Sequence, residues 1–146
     1  MVATQSFAGR VLVTGANGRL GRALVQYLAA SGASVRALVR SERAAATLRA
    51  LARPPELAIV DWSDAPGLAR AAADCDAAVH LVGVLKETPT QRYADAHEGT
   101  ARALAAAATG GTLRRIVYLS IVGADANSPN ACLTSKARAE AILLAA

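Results

Sequence analysis

Aromatic side chains are scarce in this chain. Its 146 residues hold one Phe, one Trp and three Tyr, with a single Met. Cysteine is scarce too: Cys75 and Cys132 are the two thiols, far apart in sequence. That spacing, with no export signal, argues against a disulfide framework. Cys75 ends a helix-like stretch and reads as a small buried residue. No apolar run reaches the ~18 residues of a membrane span. The N-terminus lacks the apolar stretch of a secretory leader, so the chain is expected in the cytoplasm. Lysine is nearly absent: 14 Arg and 2 Lys stand against 11 acids, for a net charge of +5. A basic balance can signal nucleic acid. Here the arginines are scattered, with only Arg114 and Arg115 adjacent, and no basic run forms. The pattern fits a basic surface and an anionic small ligand, with no nucleic-acid partner. Histidine is limited to His80 and His97, neither with a second ligand at metal-binding spacing, so no metal is expected. His80 reads as a packed strand residue and His97 as a solvated one near a helix start.

What the chain has in excess is alanine, 37 residues, which favours helix and small side chains at helix contacts. Apolar residues reach 53% and charged residues 18%, a composition that folds rather than one that stays disordered. A domain of this length buries about two thirds of its unfolded surface and needs no staples. The organisation is an alternation. Apolar, β-branched runs fall at 11–13, 35–39, 57–60, 77–82 and 116–119. Helical segments lie between them at 19–30, 42–52, 65–73 and 92–108, with a last one from 131 to the end. Runs apolar throughout suit strands buried on both faces. Strand–helix alternation predicts right-handed crossovers and a doubly wound parallel α/β sheet. The expected arrangement is one Rossmann domain over 1–146, with five strands in order 3-2-1-4-5 and helices on both faces.

The most informative stretch is Val13-Thr14-Gly15-Ala16-Asn17-Gly18-Arg19-Leu20-Gly21. It follows a strand and opens a helix, the context a dinucleotide fingerprint requires. Gly15 turns sharply from the strand, Gly18 lets backbone approach a pyrophosphate, and Gly21 lets the helix pack on the sheet. The segment from Gly15 to Gly21, with Asn17, Arg19 and Leu20, is the expected cradle, its helix end presenting free N–H groups to the anion. An acid at the end of the second strand would bind the ribose 2′-OH of NAD. This chain has Arg40 there, followed by Ser41 and Arg43. A guanidinium fork suits a 2′-phosphate, so NADP is expected over NAD.

The Gly-x-x-Gly-x-x-Gly spacing after Thr14 resembles the short-chain dehydrogenase/reductase superfamily, in its extended and atypical branches. The likeness runs on through 35–40, Val60-Asp61, His80 to Gly83, Glu98-Gly99-Thr100 and 120–129. The last stretch is similar to the atypical members related to an accessory subunit of respiratory complex I, which bind NADP(H) and do not all catalyse redox chemistry. The resemblance implies that Asp61 meets the adenine amino group, with Trp62 bordering the ring. It implies that Leu81, Val82 and Gly83 run beneath the nicotinamide.

In that family a Ser, a Tyr and a Lys carry the chemistry, with Tyr-x-x-x-Lys on one helix face. The resemblance assigns Ser120 to the first role and Lys136 to the last, where it would also hold the nicotinamide ribose. The Tyr position holds Cys132. A thiol is shorter than a phenol, and its proton would not reach the same carbonyl. Ala96 departs in the same direction, standing where relatives often carry Asn. The chain also stops at Ala146, inside the helix of Lys136, so the substrate-binding part of complete relatives is expected to be absent. An edge strand left bare there predicts a homo-oligomer through the sheet edge or the C-terminal helix. Two functions follow. One is an NADP(H)-binding relative of nucleoside-diphosphate-sugar epimerases and reductases, impaired in catalysis. The other is a non-enzymatic NAD(P)H-binding redox sensor or assembly factor.

Overall fold

The computed structural model describes residues 8–146. The expectation of a chain without a leader falls on residues outside that range. The order along the chain is β1 (Arg10–Thr14), α1 (Arg19–Ala30), β2 (Ser34–Val39), α2 (Glu42–Arg49), β3 (Glu56–Ile59), α3 (Ala65–Ala72) and β4 (Ala77–His80). A π-helical turn over Ala94–Gly99 then leads into α4 (Thr100–Ala108), β5 (Arg115–Tyr118) and α5 (Ala131–Leu144). The five strands pair in parallel in the order β3-β2-β1-β4-β5, as the alternation predicts.

Period-2 alternation sorts the strand side chains into two cores. Val11 and Val13 of β1 join Val35, Ala37 and Val39 of β2 on one face, against Val25 of α1 and Leu48 of α2. Leu12 and Leu38 point the other way, into Leu68 and Ala72 of α3 and Leu104 of α4. Cys75 is wholly buried in this second core, as expected. A charged residue also lies inside the sheet. Arg36 of β2 donates through Nη1 to the carbonyls of Ala71 and Ala73, at 2.9 and 2.7 Å, and through Nε to Glu56 at 2.8 Å. It therefore satisfies the terminal carbonyls and negative dipole end of α3.

Beyond small shifts at element ends, several boundaries and burials differ from the sequence reading. α2 ends at Arg49 rather than 52, and Pro54 then keeps Arg53 out of helix. β4 ends at His80: Leu81 makes a last ladder bond to the Thr14 carbonyl at 3.3 Å, and the next residues leave the sheet. The segment 92–108 is two pieces, the π-helical turn and α4. β3 and β5, the two edge strands among the described residues, are not buried on both faces: Ile59 is 43% and Val117 50% exposed. No helix among the described residues is long and apolar enough to cross a membrane.

Candidate functional site

The site begins where β1 runs out. Gly15 turns the chain with φ +67°, a conformation that favours glycine, and a Cβ there would stand 3.0 Å from the Leu81 carbonyl carbon. Gly21, in the first turn of α1, is tighter still. Its Cβ would fall 2.3 Å from the Gly15 oxygen and 2.7 Å from the Ala16 Cα. Both neighbours are backbone, so the helix itself must back away. Gly21→Ala is expected to cost about 2 kcal/mol of stability, read as a lower urea midpoint. An unchanged midpoint would contradict this packing.

The helix that Gly21 seats is open at its start. Ser41, Asp64 and Asn130 each accept backbone N–H bonds at the starts of α2, α3 and α5. At α1 the N-cap is Gly18, and no side chain caps the first turn. Its amides, and the positive end of the helix dipole, are available to an anion.

A cavity of about 420 Å³ opens at the carboxyl ends of β1, β2 and β4. Gly15, Asn17 and Gly18 line it from the glycine turn, Arg40 from the end of β2, and Leu81, Val82 and Gly83 from the segment after β4. Trp62 lines it too and continues into a smaller cavity of about 180 Å³ shared with Arg40 and Asp61. Asp61 accepts bonds from the hydroxyl and N–H of Ser63, which hold its carboxyl below the usual range, helped by the nearby Arg40 charge. Three residues of the expected cradle stand outside the lining: the side chains of Arg19 and Leu20 are exposed at the start of α1, and Gly21 is packed.

Beyond Gly83 the surroundings change. A third cavity, of about 260 Å³, is lined by Gly83, Ser120 and Lys136 among others. Lys136 is buried and donates from Nζ to the Leu119 carbonyl at 2.8 Å, above the Tyr118 ring at 4.5 Å from its centroid. Burial pushes its ammonium below the ordinary value, against the opposing pull of Cys132 and Glu140. A Cβ on Gly83 would meet Lys136 Nζ at 3.3 Å, so the absent side chain keeps this approach open. The Ser120 hydroxyl is buried with no hydrogen-bond partner. Cys132, four residues before Lys136 on α5, is buried with its sulfur 3.9 Å from the Val84 carbonyl, and lines none of these cavities.

His97 corrects the sequence reading. It is wholly buried, not solvated. The π-helical turn carries it inward, where its ring stacks on Tyr93 and Nε2 lies 3.1 and 3.0 Å from the N and O of Val84. A wide turn has no hydrophobic signature. The one available signal was the four-residue step from Tyr93 to His97, the spacing of stacked partners on a helix face. Ser41, Ala44 and Gln91 also line the large cavity and were not anticipated as site residues. Gln91 lies in a loop without motif, which nothing local could have assigned.

A parallel sheet in this order, a glycine turn into an uncapped helix, and a cavity across the strand ends define a nicotinamide-dinucleotide-binding Rossmann domain. The NAD(P)H-binding family matches residues 15–145, and the chain belongs to that family, within the short-chain dehydrogenase/reductase-like proteins. It is 38% identical over 115 residues to a 4-hydroxy-2-methyl-3-oxo-4-farnesyl-3,4-dihydroquinoline-1-oxide ketoreductase of Stigmatella aurantiaca, covering 76% of this chain and 33% of the relative. It is 30% identical over 134 residues to a ceramide reductase of Caulobacter vibrioides, covering 92% of this chain and 42% of the relative. Among solved structures, uronate dehydrogenase from Agrobacterium tumefaciens superposes with TM-score 0.74 at 27% identity, over 92% of this chain and 54% of that one. The chain thus spans about a third to a half of the length of these relatives.

Proposed function

We propose that this chain binds NADP(H) in preference to NAD(H), and that Cys132 leaves its proton-transfer step impaired. It is an NADP(H)-binding relative of nucleoside-diphosphate-sugar epimerases and reductases. The observation that carries the cofactor choice is the lining of the large cavity at the end of β2. Arg40 and Ser41 stand there and no carboxylate among the described residues lines the cavity, so the charge suits a 2′-phosphate rather than a ribose hydroxyl. Gly15, Asn17 and Gly18, with the first-turn amides of Arg19, Leu20 and Gly21, would hold the pyrophosphate. Asp61 and Trp62 would take the adenine, and Leu81, Val82 and Gly83 would underlie the nicotinamide. The open α1 start and the space left by Gly83 fit such a group. Bound there, it supplies or accepts a hydride.

Ser120 would hold a carbonyl oxygen, since its buried hydroxyl has no other partner. Lys136 would hold the ribose. The names of the two curated relatives make carbonyl reduction the reaction class to test. Cys132 supports a second reading, a non-enzymatic NAD(P)H-binding sensor or assembly factor, which shares the cofactor and differs in turnover. We also place the chain in the cytoplasm and expect it to self-associate through the β5 edge or α5, where Val117 and Leu144 are exposed.

Titration with NADPH and NADH tests the cofactor choice. A charge-assisted bond is worth about 1.5–3 kcal/mol, so NADPH is expected to bind roughly tenfold or more tightly. Arg40→Ala is expected to remove most of the difference. Equal dissociation constants in the unsubstituted chain would overturn the role of Arg40.

A further inference from the structure

We infer that the cavity beyond Gly83 receives a lipophilic carbonyl compound, one with an apolar chain on its carbonyl, rather than a sugar nucleotide. The inference rests on the nicotinamide reading of the neighbouring cavity, with which this one shares Leu81 and Gly83. Its walls away from the cofactor are Val84, Leu85, Leu119 and Ile121, and its polar side chains are Ser120 and Lys136 alone.

The two polar groups are unequal. Lys136 Nζ already donates to the Leu119 carbonyl at 2.8 Å. Ser120, which also lines a neighbouring cavity with Tyr118 and Glu140, has a buried and unpartnered Oγ that one small acceptor, such as a carbonyl oxygen, would satisfy. Among the described residues no other polar side chain lines the cavity. A sugar carries several hydroxyls and a nucleoside diphosphate two or more charges, each costly to bring from water without partners. No arginine lines the cavity among the described residues. Outside it the apolar character continues along the loops after β4 and β5. Leu85 is 81% exposed and Val122 is 99% exposed. Single exposed apolar residues are ordinary on a protein surface. Leu85 differs because it lines a cavity together with Val84, Leu119 and Ile121, where a ligand chain would cover it.

The test is a titration of the full chain with geranylacetone, an isoprenoid ketone, with and without saturating NADPH. Acetone serves as the carbonyl alone and UDP-galactose as the sugar nucleotide. Geranylacetone is expected to bind one to one, with acetone and UDP-galactose far weaker. Leu85→Asp is expected to weaken geranylacetone by more than about tenfold and leave NADPH affinity unchanged. Equal or tighter binding of UDP-galactose would overturn the inference, as would failure of geranylacetone to bind or indifference to Leu85→Asp. Light scattering identifies the other occupant, a second copy. A dimer that Leu85→Asp converts to monomer, without change in geranylacetone affinity, would assign the surface to self-association and overturn the ligand. Loss of NADPH binding would sink the cofactor reading instead. In that case the titration without NADPH still decides this one, by its sensitivity to Leu85→Asp.

Discussion

Cys132→Tyr is expected to raise NADPH-dependent carbonyl reduction by about 10²–10⁴-fold over the unsubstituted chain, the span that a placed proton donor contributes. Reduction delivers a hydride to the carbonyl carbon, and the oxygen then needs a proton. Position 132 lies one helical turn before Lys136 on α5, and both side chains are buried beside the Gly83–Val84 segment. A phenol there would have the Lys136 ammonium as neighbour, which lowers a phenol's pKa. The thiol present is shorter, and its sulfur faces the Val84 carbonyl at 3.9 Å. The measurement is NADPH oxidation with geranylacetone, UDP-galactose and menadione, alongside calorimetry of NADPH. The expected pair for the unsubstituted chain is stoichiometric NADPH binding and silent turnover. If the unsubstituted chain matches the Tyr variant, the donor is another group, and Tyr93 is the first to replace. Its hydroxyl donates to the Leu85 carbonyl at 3.0 Å, on the rim of the apolar cavity. Tyr118 is a poor substitute, since burial pushes its phenol up to about 12.

The parts of this site that could be read in sequence are those set by local backbone requirements. Gly15 and Gly21 announce themselves because a tight turn and a close helix each demand a missing side chain. Arg40 does so because the end of β2 is fixed by the apolar run before it. Ser41 was legible as the start of α2, yet its place in the cavity depends on how that helix tilts against the sheet. His97 and Gln91 were not legible, because each reaches the site through a chain path with no periodic pattern. The misreading of β5 has another origin. Its edge position follows from the expected strand order, but Val117 and Leu119 look like core residues in sequence, and how far helices cover the faces of an edge strand is not written in its apolar run. Arg36 shows the converse, a charge inside an apolar run whose need is met by a distant helix end.

Acid is expected to destabilise the fold well before its carboxylates protonate, through His80. This ring is wholly buried at the end of β4, stacked on Tyr118 and edge-on to Trp62. Thr100 Oγ1 donates to the Ala96 carbonyl at 2.8 Å, so its oxygen is the acceptor for His80 Nε2–H at 3.2 Å. Thr14 Oγ1, at 2.7 Å, then donates to Nδ1. Both nitrogens of the neutral ring are thereby satisfied, and a second proton has no acceptor without reversing the Thr14 hydroxyl. Burial, reinforced by the charges of Lys136 and His97, pushes His80 down to about 4 from an ordinary 6.5. Between those values the unfolded chain takes up a proton that the folded chain refuses. Stability is therefore full above about pH 7 and falls as pH drops through this window, by about 3 kcal/mol at its acid end. His97, lowered mainly by its own burial, adds in the same direction. Asp61 is held below its ordinary range, so its contribution is lost only at lower pH and leaves the upper window clear. Urea midpoints taken from about pH 7 to 5 measure the slope, and His80→Gln is expected to flatten it while lowering stability at neutral pH. An equal slope in the variant would mean that the loss arises elsewhere. A flattened slope would tie acid sensitivity to the one ring that joins β1, β4, α4 and β5 beneath the cofactor cavity.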